Sequence, residues 1–77
     1  MIVIYTQDET YIKDNADVAL PILNSIYGEK LAQEAYNTIR NGRIGTIYRK
    51  YGGPRVEVVS EERGEWIRER EREISRL

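Results

Sequence analysis

The sequence predicts a small α+β domain of order β-α-β-β-α, a three-stranded sheet with its helices packed on one face. Three observations carry that expectation. The opening run Ile2-Val3-Ile4-Tyr5 has the β-branched and aromatic content of a strand. An apolar stripe then recurs every three or four residues from Leu20 to Ile39, the spacing of one helix face. Finally, two β-rich runs flank Tyr51-Gly52-Gly53-Pro54, a hairpin signature. A chain of 77 residues has room for one hydrophobic core, so one domain spanning 1–77 is expected.

The first run lacks polar alternation and therefore suits a central strand covered on both sides. Gln7 to Thr10 breaks it, and Lys13-Asp14-Asn15-Ala16-Asp17 offers several side chains that can cap a helix. The stripe of Leu20, Leu23, Tyr27, Leu31, Ala35 and Ile39 argues for one helix that stops at Asn41-Gly42. Pro21 belongs in a first turn, which favours a cap at Asp17 or later. Gly28 is a weak point that could instead divide the helix in two. Arg43 to Lys50 and Arg55 to Val59 form the hairpin; with Gly52-Gly53 as a two-residue turn, Ile47 pairs with Val58 and Arg49 with Val56. Ser60, followed by Glu61 and Glu62, starts the last helix, which Glu65, Glu69 and Glu73 stabilise by preceding Arg68, Arg72 and Arg76 by three residues.

The composition removes much chemistry. With no Cys and no His, disulfides, thiolate nucleophiles, imidazole bases and the usual zinc ligands are all excluded. Ser25, Ser60 and Ser75 sit in no nucleophile motif, and no catalytic, cofactor or metal site is expected. The acidic stretch around Asp8, Glu9 and Asp14 to Asp17 lacks the alternating ligands and central glycine of a calcium loop, so capping explains it better. Gly52-Gly53 lies in neither GxxxxGK[ST] nor GxGxxG, and a turn explains it better than a phosphate cradle. No apolar run reaches the roughly 20 residues of a membrane helix, and no signal-peptide pattern opens the chain. A cytoplasmic protein without a membrane partner is the expectation.

Charge is segregated along the chain, although the total is only −1. Residues 1–34 balance at −4, residues 40–55 at +5 with no acid, and residues 56–77 at −2. Arg43, Arg49, Lys50 and Arg55, interleaved with Tyr48 and Tyr51, suit an acidic protein surface or a phosphate backbone with unstacked bases. The plainer reading pairs these arginines with Glu57 and the acids of the last helix, or has them guard an edge strand. That helix carries few large apolar residues. Trp66 and Ile67 most simply cover the sheet, while the seven-then-three spacing of Ile67, Ile74 and Leu77, with Trp66 beside it, also fits a contact between two copies. Six tyrosines and no phenylalanine keep polar ends near the surface, where binding interfaces use them.

Met1-Ile2-Val3-Ile4-Tyr5-Thr6 resembles the first strand of glutaredoxin-like proteins, whose Cys-x-x-Cys would follow; Gln7 to Tyr11 holds no cysteine, so no redox activity is implied. The length and the order β-α-β-β-α are similar to the DNA-damage-inducible protein I family, small proteins with an acidic helix that modulate a recombinase filament. That similarity is topological and carries no motif.

A small non-enzymatic regulator or inhibitor that binds a protein partner is therefore the leading expectation, with the basic hairpin and the charged last helix as contact surfaces. Phages and other mobile elements commonly encode such short inhibitors of host proteins. The alternative is a nucleic-acid binder using the hairpin 43–55.

Overall fold

The computed structural model describes residues 1–50 and 52–75. The chain runs β1 (Ile2–Tyr5), β2 (Thr10–Lys13), α1 (Ala16–Tyr27), α2 (Glu29–Arg40), β3 (Ile47–Arg49), β4 (Arg55–Val58) and α3 (Glu61–Ser75). The α+β class is as expected, but the sheet has four strands, all antiparallel, in the order β2-β1-β4-β3. The added strand is β2. It forms because Thr6 closes a tight loop, its hydroxyl accepting from the Glu9 amide at 2.9 Å while its own amide donates to the Glu9 carbonyl at 2.9 Å. The chain thereby turns back and sets Thr10 opposite Tyr5. With β2 inserted and the long helix divided, the order becomes β-β-α-α-β-β-α, which departs from the topology shared with the DNA-damage-inducible family.

The stripe expected to be one helix breaks at Gly28, whose φ of 83° and ψ of 161° lie in a region that only glycine occupies without strain. The break lets α2 run back along α1. Tyr36, eight residues after Gly28, donates its hydroxyl to Asp17, eleven residues before it. Asn15 caps α1 by accepting the Val18 amide at 3.0 Å, so Pro21 falls in the second turn rather than the first. It is exposed there, where water can serve the Asp17 carbonyl that a proline cannot reach.

Alternation along the strands sorts side chains onto two faces. Ile2, Ile4, Tyr48, Val56 and Val58 point to the α1–α2 side and pack with Ala19, Leu23, Ala32, Ala35 and Ile39. The alanines let the helices lie close to the strands and to each other. Val3 points the other way, with Met1, Tyr5 and Ile12, and is covered by Val59 and Ile67. The two helical units therefore occupy opposite faces, correcting the one-face arrangement. The central position expected for β1 holds, with Ile2, Val3 and Ile4 all buried.

The hairpin register is Ile47↔Glu57, Tyr48↔Val56 and Arg49↔Arg55, one residue away from the expected pairing. Burial decides it, because this register puts Tyr48 beside Val56 in the core and sends Arg49 and Arg55 together to the other face. In the connection Gly52 has φ 69° and the Gly53 amide donates to the Lys50 carbonyl at 3.1 Å. Ser60 caps α3 as expected, its hydroxyl accepting the Arg63 amide at 3.1 Å.

Two substitutions separate conformation from packing. Nothing lies within 4 Å of a Cβ placed on Gly28, so Gly28→Ala costs only backbone strain, about 1–3 kcal/mol. Leu23→Ala empties a fully buried position and costs about 2–5 kcal/mol. Urea denaturation midpoints at constant slope check both values.

Candidate functional site

α3 starts after β4, crosses the start of β1 and reaches β2. Gly64 lies so close to Met1 that an added Cβ would collide with the methionine sulfur, and Arg68 reaches Asp14 just past β2 at 3.7 Å. Gly64, Ile67 and Glu71 recur on the face turned to the sheet. A helix of 15 residues is about 22 Å long, whereas β4 to β2 spans only about 10 Å. Its far end consequently outruns the strands, leaving Ile74 57% exposed although it continues the row of Ile67.

The helix covers Val3, Ile12 and Val59 and leaves the β4–β3 half of the same face bare. Cross-strand register arranges that face in rows. One row reads Thr10, Tyr5, Arg55, Arg49, and the next reads Ile12, Val3, Glu57, Ile47. Ile47 is 53% exposed, and Ile44, in the loop leading to β3, is 70% exposed.

Arg49 and Arg55 stand directly opposite each other, an arrangement in which like charges repel. Arg49 is engaged, donating Nη2 to the Gly52 carbonyl at 3.0 Å and Nε to the Gly53 carbonyl at 3.3 Å, so it clamps the turn. Arg55 lies over the Tyr5 ring at 4.4 Å, and its Nη2 approaches Glu57 only to 4.0 Å. Its Nε is buried without an acceptor, a state that costs about 1–3 kcal/mol or more for a charged group.

Residues 6–9, which follow Tyr5, and Gly52, Gly53 and Pro54, which precede Arg55, lie at this end of the sheet. At that end opens a cleft of about 800 Å³, lined by the arginines Arg49 and Arg55, the acids Asp8 and Glu9, the aromatic rings of Tyr5 and Tyr11, Ile26, and Gly52, Gly53 and Pro54.

The structure separates the residues that the sequence grouped. Arg49 and Arg55 share a face, and Arg43 is exposed in the loop before β3. Tyr48 is withdrawn from any binding surface. It is buried on the helix side, where its ring meets Tyr27 edge-on at 5.5 Å and its hydroxyl donates to the Leu31 carbonyl at 3.4 Å. Lys50 pairs with Glu34 of α2 at 3.0 Å. Tyr51 and Leu77 lie outside the described residues. In the proposed helix contact, Ile67 is spent on the sheet, and Trp66, 48% exposed, lies between Arg63 at 4.4 Å and Arg70 at 5.0 Å. Sequence reasoning missed Tyr5, Ile44 and Ile47. Only the strand register reveals that Tyr5 adjoins Arg55, whereas the alternation of Ile47 with Tyr48 was already a signal that one of them faces out.

No protein-family model, curated protein or solved structure matches the chain. Among the described residues, no polar or charged side chain is buried, no three potential ligands cluster to hold a metal, and no helix is long and apolar enough to cross a membrane.

Three tyrosines hold their protons above the ordinary phenol value of 10.0. Tyr36 does so chiefly through its hydrogen bond to Asp17, Tyr27 through burial, and Tyr11 through its hydrogen bond to Glu9. These raised values make the folded chain bind more protons than the unfolded chain once pH exceeds that value. Stability from these groups is therefore fully present below pH 10.0 and is lost as pH rises through the folded-state values. Unfolding midpoints measured across the alkaline range should fall, with a shallower decline in Tyr36→Phe.

Proposed function

We propose that the chain is a small non-enzymatic regulator that acts by docking a protein partner on the bare β3–β4 half of its sheet. The observation that carries this reading is the contrast between the two faces. One is sealed by α1 and α2, whereas the other leaves Ile47 in water opposite Glu57 and one row from Arg49 and Arg55, with Arg43 and Ile44 exposed in the loop before β3. An exposed branched aliphatic beside a cationic pair suits a partner surface with an apolar centre and an acidic edge. The lack of a buried carboxylate among the described residues favours a binding role over acid–base catalysis.

Nucleic-acid binding is the competing reading, favoured by the arginine–tyrosine stack of Arg55 on Tyr5. Its weakness is geometric, since Tyr48 is internal and Lys50 is held by Glu34.

Affinity capture from the source lysate, run with and without nuclease and alongside Ile47→Glu, separates these. The docking reading predicts a nuclease-resistant partner that Ile47→Glu loses while its amide spectrum stays folded. Capture that vanishes with nuclease, or that Ile47→Glu leaves intact, contradicts it.

A further inference from the structure

The geometry points to a carboxylate-binding site at the Arg49–Arg55 cross-strand pair, which receives an acidic side chain or a terminal carboxylate of a partner; it rests on the docking reading and names the chemistry at one end of that surface. Four features converge there. Two cations face each other across adjacent strands, where repulsion is relieved by an anion placed between them. The Arg49 guanidinium is held by the Gly52 and Gly53 carbonyls, and that of Arg55 lies over the Tyr5 ring at 4.4 Å, so both have partners that orient them before any ligand arrives. Arg55 makes no side-chain hydrogen bond among the described residues and only a 4.0 Å approach to Glu57; its Nε is buried, so the planar fork of Nη groups is what remains to receive an anion. The fork borders a cleft of about 800 Å³, large enough for several residues of a peptide.

The acids of the cleft narrow the choice of anion. Asp8 and Glu9 line the same cleft as the arginines. A chain of repeating phosphates filling the cleft would meet these carboxylates, whereas a peptide with one acidic group offers them its amide N–H groups. A protein carboxylate thus suits a cleft lined by both signs of charge better than a nucleic-acid strand does.

The test follows the Arg55 Nε–H resonance of the full ¹⁵N-labelled chain during titration with a short end-capped leucine–serine peptide carrying a single glutamate, with sodium acetate, with inorganic phosphate and with oligothymidylate. The peptide is expected to shift that resonance saturably, and Arg55→Lys, which keeps the charge but loses the fork, is expected to weaken peptide binding by about tenfold. Acetate is expected to shift it in the same direction at higher concentration. Peptide affinity unchanged in Arg55→Lys, a resonance that no probe moves at millimolar concentration, or tighter binding of phosphate or oligothymidylate than of the peptide would each overturn the assignment. If the carboxylate site fails while Ile47→Glu still loses a nuclease-resistant partner, the docking reading survives without it; if Ile47→Glu keeps its partner, the docking reading itself falls.

Discussion

Everything in this fold hangs on β1 being a strand with two buried sides. Ile2 and Ile4 enter one core, Val3 enters the other, and both edges of the strand are hydrogen-bonded, to β2 and to β4. A strand so placed needs cover on each face. The α1–α2 pair supplies one cover with 12 residues per helix, broad enough to seal the sheet. A single helix supplies the other, and it leaves β4 toward β2 rather than toward β3. The uncovered half-face follows from that direction, and it is where Arg49, Arg55 and the exposed Ile47 are found.

The parts legible in the sequence were those with long or chemically marked signals. The opening apolar run, the glycine-rich hairpin and the serine cap of α3 all stand where their residues implied. β2 was hidden because Thr10-Tyr11-Ile12-Lys13 is only four residues long, is half-buried throughout, and follows an acidic loop that also reads as a capping region. The apolar stripe from Leu20 to Ile39 carried through Gly28 because the two helices bury equivalent faces against the same sheet; periodicity records which face is buried, not whether the axis turns. The packing side of α3 was not legible at all, since Gly64, its closest approach to β1, carries no side chain to mark the contact.

The candidate site shows the same division. Arginines 49 and 55 were identifiable as cations near a turn, but their meeting on one face depends on a register that the turn residues alone placed one step away. Strand alternation then scattered the rest of the basic island. Tyr48, between Ile47 and Arg49, necessarily points to the opposite face and became part of the core. Three of the tyrosines tie elements together. Tyr27 donates to the Pro54 carbonyl, Tyr36 to Asp17 and Tyr48 to the Leu31 carbonyl, so each carries an apolar ring into a seam between elements and ends on an acceptor. Phenylalanine would pack in these places but could not tie the helices to one another or to the hairpin.

The central claim is that α3 sits opposite α1 and α2 and covers only the β2–β1 half of its face. Methyl nuclear Overhauser contacts test it most directly. The structure predicts contacts from Ile67 to Val3, Ile12 and Val59, and none from any α3 methyl to Ile47. Contacts from Ile67 to Leu23 or Ala32 would place the helices on one face, contacts from α3 to Ile47 would close the bare half, and either result would contradict the account.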